Sequence, residues 1–178
     1  MASSIVLLIS ILLPLSLVLG DADLIQKVCQ KTQFPDLCTS TLNTSRFSKP
    51  ADVRRLATIM INAGSASAAD TFRFILAELV KTVSDPAAVK AFKRCSEEYK
   101  EAKTSLDISS EYSSFLDYEM ALKKLNYGRD HADRCRDSFT LFNPPLSYPD
   151  ALEQREVRFV ELVDVAADII KQHLVHVN

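Results

Sequence analysis

Residues 53–79 have the sequence VRRLATIMINAGSASAADTFRFILAEL. Apolar and small side chains recur along its first part at spacings of 3, 4, 3 and 4, at Val53, Leu56, Met60, Ala63 and Ser67. This spacing places them on one face of an amphipathic helix. Residues 63–69 are all Ala, Gly or Ser, so a neighbouring helix can approach closely. With Asp52 as a cap, the stretch predicts one long helix that packs against others.

Three later segments show the same helical pattern. They follow Asp85-Pro86, Asp117 and Asp150, which are residue types that start helices. Asp150 with Glu153 resembles a capping box, and residues 109–114 are expected to interrupt the pattern. Amphipathic helices joined by short connections bury their apolar stripes against one another. The predicted fold class is therefore all-α, an antiparallel four-helix bundle with an N-terminal helical hairpin from residues 24–42.

The composition excludes several kinds of protein. The chain has 178 residues, a net charge of −2 and three glycines. A nucleic-acid-binding domain carries a domain-wide positive field, which this chain lacks. Gly64 and Gly128 are isolated, so no glycine-rich loop is present to hold a phosphate. We expect no cofactor, no metal ion and no nucleic-acid partner.

The first 20 residues form an uncharged leader that is rich in Ile, Leu and Val. Such a segment predicts a secretory signal peptide (1–20) before one domain (21–178), with cleavage before Asp21 or Asp23. The alternative is an uncleaved membrane anchor, but Pro14 and the short apolar span argue against it, since spanning needs about 20 apolar residues. We expect an exported chain that has no membrane partner after cleavage.

Four cysteines follow the leader, a close pair at Cys29 and Cys38 and a distant pair at Cys95 and Cys135. In an oxidising compartment these thiols pair as disulfides. Of the three possible connectivities, 29–38 and 95–135 suits the predicted bundle best, because the first bridge joins the arms of the hairpin and the second joins neighbouring helices.

Catalysis is not expected from the side chains present. Residues two apart on a helix point in different directions, so His131, Asp133 and Cys135 do not converge. We interpret the many helix carboxylates as a solvated face rather than a paired-acid site. Tyr112, Phe115 and Tyr118 cluster between two helices, and we interpret them as core, with an interface as the alternative.

Several short motifs together resemble one family. They are LIQKVCQKT and PDLC at 24–32 and 35–38, CSEEYKEAKTSL at 95–106, DY at 117–118 and CRDSF at 135–139. In this order, and behind a secretory leader, they are similar to the plant pectin methylesterase inhibitor and invertase inhibitor family. The resemblance covers the whole mature chain.

The resemblance implies the four-helix bundle with a hairpin extension and the same two disulfides. It also implies a non-catalytic role, in which the protein blocks a plant carbohydrate-active enzyme by forming a one-to-one complex. The expected partner is a pectin methylesterase or an acid invertase of the cell wall or vacuole, and the inhibitor is expected to be a monomer in the apoplast, with the vacuole as a further possibility.

The position of one tripeptide separates the two targets. Well-studied invertase inhibitors of the family carry Pro-Lys-Phe where this chain has Tyr118-Glu119-Met120. An acid replaces the cation, which favours a pectin methylesterase as the target and an invertase as the alternative. Arg134 directly precedes the last cysteine, at a position where a well-known member of the family has threonine. These four residues are the candidate target-binding residues.

Two further expectations come from the residues. Asn43-Thr44-Ser45 is an N-glycosylation sequon, and we place it in a loop. A helical bundle with an apolar interior can also carry a small molecule. A large enclosed pocket would favour such a carrier, whereas a solid core with exposed aromatic and charged helix faces would favour an inhibitor.

Overall fold

A computed structural model describes residues 23–48 and 52–175. The predicted leader lies outside these ranges. The described residues form six helices and no strand: α1 (23–29), α2 (Pro35–Thr44), α3 (Val53–Phe74, continued by a π-helical segment Ile75–Leu79 and by Val80–Thr82), α4 (Pro86–Ser114), α5 (Tyr118–Thr140) and α6 (Asp150–His173). The predicted all-α class is therefore confirmed.

The four long helices, α3 to α6, form the bundle, and α1 and α2 form the hairpin beside it. Within the bundle, α3 packs against α4 and α6, and α5 packs against the same two helices. The first turn of α3, the start of α5 and the last turn of α6 line one cavity, so neighbouring helices run antiparallel. The surface of α4 and α5 and the surface of α3 and α6 are thus opposite faces of the bundle.

Aspartate caps start three of the four bundle helices, as the sequence predicts. The carboxylates of Asp52, Asp85 and Asp117 accept hydrogen bonds from backbone N–H groups in the first turns of α3, α4 and α5, at 2.9, 3.1 and 3.1 Å. The capping box predicted at α6 is wrong. Pro149 occupies the N-cap position without a side-chain bond, and Glu153 instead pairs with Arg136 at 3.2 Å.

Other local expectations fail where polar residues are buried or apolar residues are exposed. Residues 109–114 do not interrupt α4, because Ser109 is buried and its hydroxyl donates to the carbonyl of Ala121 on α5 at 2.9 Å. The π-helical segment in α3 was not predicted; within it Leu76 is exposed. Val157 of α6, another apolar residue, is exposed as well.

The core is tightest where three helices meet at Leu106 of α4. A methyl group added at Gly64 of α3 would lie 2.7 Å from one of its δ-carbons, and one added at Gly128 of α5 would lie closer still to the other. The predicted close approach at the small-residue stretch of α3 therefore exists. A helix can come this near only where the facing residue lacks a side chain.

Two disulfides cross-link the fold. Cys29–Cys38 joins the hairpin, with Cα atoms 5.5 Å apart, and Cys95–Cys135 joins α4 to α5, with Cα atoms 4.3 Å apart. The hairpin also contacts the bundle, because the backbone N–H of Gln33 donates to Asp168 of α6 at 2.9 Å. No helix in the described part of the chain is long and apolar enough to cross a membrane.

Candidate functional site

The connection between α4 and α5 has a defined hydrogen-bond geometry. The N–H of Leu116 donates to the carbonyl of Ser113 at 3.2 Å, and the N–H of Asp117 donates to that of Tyr112 at 3.0 Å. These two bonds form a Schellman motif, which ends a helix with one residue in the left-handed conformation. That residue is Leu116, with φ of 64°, where glycine is the usual choice because it has no Cβ.

This connection exposes two large apolar side chains. Phe115 is 77% exposed and Leu116 is 54% exposed. The interpretation of Phe115 as core is therefore wrong, whereas Tyr112 and Tyr118 are half-buried and pack against the core. Strained backbone and exposed apolar surface are both typical of binding sites. Residues 115–120 are called the corner from here on.

The candidate residues Tyr118, Glu119 and Met120 lie in the corner, in the first turn of α5. Glu119 is exposed, and its two neighbours are half-buried. The carboxylate at Asp117 and the acid at Glu119 both lie at the positive end of the helix dipole, where negative charge is favourable. The corner therefore combines apolar surface with negative charge.

Arg134, the fourth candidate, lies 14 residues beyond Met120, about 21 Å along α5. At 100° per residue, Met120 and Arg134 project within about 40° of each other, so both belong to the outer side of the helix. The structure does not bring Arg134 to the corner. It places the arginine on the same exposed side of α5, near the other end.

A charged surface shared by α4 and α5 runs from the corner to Arg134. It is here called the flank and consists of Glu98, Lys123, Tyr127, His131 and Arg134. Glu98 contacts the imidazole Nδ1 of His131 at 2.8 Å and lies 3.8 Å from the Arg134 guanidinium. The Tyr127 ring is exposed and has the Lys123 ammonium 5.9 Å from its centre. The contact between His131 and Glu98 thus joins α4 to α5 within the flank.

The far end of the flank is fixed by the second disulfide and by a buried polar cluster. Glu156 of α6 accepts hydrogen bonds from the Tyr148 hydroxyl at 2.5 Å and from the Arg136 guanidinium at 2.8 Å. Burial, with the bond to Glu156, raises the pKa of Tyr148 far above its usual value, so this phenol remains a donor. The Tyr148 oxygen lies 3.5 Å from the sulfur of Cys135. The α5–α6 loop is thereby anchored against the disulfide.

The remaining residues singled out in the sequence do not assemble into a reactive site. His131 bonds to Glu98, Asp133 is exposed, and Cys135 is in the disulfide. Asn43 of the sequon is exposed, as glycosylation requires, but it lies in the last turn of α2 rather than in a loop.

Comparison with known proteins identifies the family. The sequence model of the plant invertase/pectin methylesterase inhibitor family matches residues 23–169. The chain belongs to this family. Its members are inhibitors rather than enzymes.

The relatives of this chain include inhibitors of both kinds of target enzyme. A pectinesterase inhibitor from Actinidia deliciosa is 31% identical over 165 residues, covering 91% of this chain and 87% of that protein. Cell wall / vacuolar inhibitor of fructosidase 2 from Arabidopsis thaliana is 29% identical over 147 residues, covering 83% and 81%. Overall similarity therefore does not separate the two targets.

Solved structures of the inhibitor family share the fold. The crystal structure of a pectin methylesterase inhibitor from Arabidopsis thaliana matches with a TM-score of 0.60 and 24% identity, covering 83% of this chain and 94% of that one. A mutant form of a pectin methylesterase inhibitor from Arabidopsis matches with a TM-score of 0.66 at the same identity, covering 83% and 95%. At this identity the likeness supports the bundle architecture alone.

Proposed function

We propose that this protein is a secreted inhibitor of a plant pectin methylesterase and that it covers the substrate cleft of the enzyme in a one-to-one complex. The observation that carries the proposal is the corner, where Phe115 and Leu116 are exposed beside the acidic Glu119. Exposed aromatic and aliphatic side chains supply the buried anchors of protein interfaces. The acid stands where the invertase inhibitors that the chain resembles carry a cation.

The flank completes the proposed interface. A stable complex of standard size buries about 1,600 Å² in total, more than a corner of six residues can supply. Lys123, Tyr127 and Arg134 extend the contact along α5, with the apolar corner at one end. Because the disulfide joins α4 to α5 beneath this surface, the backbone that carries these side chains is already positioned, which reduces the ordering cost of binding.

Three further features belong to the same proposal. The leader at 1–20 is removed on export, the domain at 21–178 acts as a monomer in the cell wall, and Asn43 carries a glycan on the hairpin. The exposed amide of Asn43 supports the last of these. One relative is a cell wall / vacuolar inhibitor, which supports action in the cell wall, with the vacuole as the alternative.

An acid invertase is the second candidate target, favoured by the similarity to the Arabidopsis inhibitor of fructosidase. The deciding experiment is titration of the purified, oxidised protein against a pectin methylesterase and an acid invertase, side by side at acidic pH. Stoichiometric loss of esterase activity alone is the expected result. Loss of invertase activity alone would assign the other target, and loss of neither would refute both.

The interface is tested by charge reversal at two candidate residues. Glu119→Lys and Arg134→Glu are each expected to weaken inhibition at least about ten-fold, because a like-charge contact at an interface costs more than 1.4 kcal/mol. Glu78→Lys and Lys81→Glu are the matched controls. Both controls are exposed at the far end of α3, about 40 Å along the helix from the corner. If the controls and the test variants behave alike, the proposed interface is wrong.

A further inference from the structure

The bundle face opposite the flank contains an open groove between α3 and α6. Its volume is about 630 Å³, and Thr41 of the hairpin contributes to its lining. Ala63, Ala66 and Ser67 of α3 form a floor of small side chains. A volume of this size is within the range of about 300–1,000 Å³ that is typical of small-ligand sites.

Two arginines of α6, Arg155 and Arg158, line this groove. Neither has a carboxylate within ion-pair distance among the described residues. The one acid in the wall, Asp70, is paired with Arg73. The groove therefore carries uncompensated positive charge on a chain whose net charge is slightly negative.

One of these arginines also packs against an aromatic ring. The guanidinium carbon of Arg155 lies 4.1 Å from the centre of the Phe74 ring, a cation–π contact that restricts the positions this side chain can take. A fixed guanidinium can bind a carboxylate with two parallel hydrogen bonds. Arg158, three residues later on the same helix, is a neighbour on the same face. Together they present two carboxylate-binding groups along the groove.

We propose that this groove binds a carboxylate-bearing polysaccharide strand. The Gln154 amide and the Ser67 hydroxyl, which line the same groove, supply neutral hydrogen-bonding groups that suit sugar hydroxyls. The small floor leaves room for a chain of rings. The choice of a polysaccharide over an acidic peptide also rests on the proposed function, which places the protein beside an enzyme that acts on pectin.

Because the groove and the flank are on opposite faces, both can be occupied at once. The polysaccharide would hold the inhibitor at the surface where its target works, and it would leave the inhibitory face free. Binding at the groove is therefore separable from inhibition.

The test measures binding of the folded, oxidised protein to immobilised polygalacturonate, at low and at high salt, without any enzyme. The same galacturonan with its carboxylates converted to methyl esters is the ligand control, and poly-aspartate is the peptide control. The test variant is Arg155→Gln/Arg158→Gln. Its matched control is Arg55→Gln/Arg94→Gln, which removes the same charge from two exposed arginines outside the groove.

The wild-type protein is expected to bind polygalacturonate in a salt-sensitive manner. The groove variant should bind about ten-fold more weakly, because two charge pairs are lost. The control variant should bind as well as wild type. Equal loss in both variants, or equal binding to the methyl-esterified polymer, would overturn the proposal. Equal binding to poly-aspartate would assign an acidic peptide instead.

Inhibition by the groove variant is measured in parallel and is expected to be unchanged. Wild-type protein that binds polygalacturonate but inhibits neither enzyme would refute the proposed function while leaving the groove proposal standing. The converse pattern would refute only the groove proposal.

Discussion

At the scale of single residues, Leu116 is the most informative side chain of the corner. Its left-handed backbone costs a non-glycine residue about 1–2 kcal/mol, and its exposed side chain recovers only part of that by packing. A side chain kept at such a cost is expected to act in binding. Backbone strain and apolar exposure both occur at Leu116. Substitutions at this one position can therefore separate the effect of the strain on stability from the effect of the side chain on binding.

The prediction compares Leu116→Gly with Leu116→Ala. Both variants remove the apolar side chain, but only glycine relieves the strain, so Leu116→Gly should be more stable than Leu116→Ala by about 1 kcal/mol in urea unfolding. Both should weaken inhibition to a similar degree, because both lack the apolar contact. Inhibition equal to wild type in both variants would exclude Leu116 from the interface.

Leu106 gives a second residue-scale prediction, since glycines of two other helices confine it. Gly128→Ala should lower the free energy of unfolding by about 1–2 kcal/mol, because the overlap with Leu106 outweighs the gain in helix propensity. In a Leu106→Ala background the overlap is absent, and the same change should become stabilising. Thermal or urea unfolding of the four proteins measures both effects. An unchanged sign in that background would show that Gly128 is not limited by Leu106.

Sequence reasoning found some of these residues and missed others for a physical reason. The aspartate caps are predictable because their bonds are local. Leu106 is enclosed by Gly64 of α3 and Gly128 of α5, and such contacts between helices leave no local pattern. The small side chains of residues 63–69 were the one feature of the sequence that indicated a close approach. Leu116 had no sequence signal, since leucine is an unusual residue for a left-handed helix end.

At the scale of elements, one side-chain contact ties α3 to α4. Asp107 of α4 accepts a hydrogen bond from Ser65 of α3 at 2.6 Å and one from Lys103 at 2.5 Å. Burial alone would raise the pKa of Asp107, but the bonds from Lys103 and Ser65 outweigh it and hold this pKa below the ordinary value. Folding therefore favours the ionised carboxylate.

The sign of the resulting pH dependence follows directly. A carboxylate with a lowered folded-state pKa stabilises the fold above about pH 4, and this contribution is lost as the pH falls through the folded-state pKa. Asp107→Asn should lower the free energy of unfolding by about 1 kcal/mol at neutral pH, a modest value because the side chain is half exposed.

Urea unfolding of wild type and Asp107→Asn, at neutral pH and below pH 3, checks this expectation. The difference between the two proteins should shrink at the lower pH. Ser65→Ala, which keeps the contact with Lys103, should show a smaller version of the same behaviour. A difference that is constant with pH would mean that ionisation of Asp107 does not contribute.

Element positions were more predictable than the faces the elements bury. Proline, aspartate and apolar spacing located the four long helices, because these signals act within one or two turns. Local apolar spacing does not predict the π-helical segment of α3, and Leu76 within it is exposed although it is apolar. Glu153 pairs with Arg136 on another helix, a competing contact that no local pattern reports.

At the scale of the whole molecule, the bundle separates stability from the surfaces that bind. The apolar stripes meet inside, the corner and flank lie on one side, and the arginine groove lies on the other. The fold class could be predicted because amphipathic helices with short connections have few ways to bury their stripes. The arginine groove could not be predicted from the sequence, because it depends on which surfaces of α3 and α6 are left uncovered once the helices have packed.

The two disulfides allow a test of how rigidity contributes to inhibition. Cys95–Cys135 closes a sequence separation of 40 residues and Cys29–Cys38 one of 9. By the loop-entropy relation, their removal should lower the free energy of unfolding by about 4 and about 3 kcal/mol, respectively. The two losses in the free energy of unfolding are similar, but only Cys95–Cys135 joins the helices of the flank.

Cys95→Ala/Cys135→Ala is therefore expected to weaken inhibition per folded molecule, because α4 and α5 lose the bond that fixes the flank and must be ordered on binding. Cys29→Ala/Cys38→Ala should inhibit as well as wild type, since the hairpin lies outside the proposed interface. Inhibition is measured at a temperature where unfolding curves show both variants fully folded. Equal weakening in both would mean that general stability, rather than the rigidity of the flank, limits the complex, and no weakening in either would mean that the flank is fixed without its disulfide.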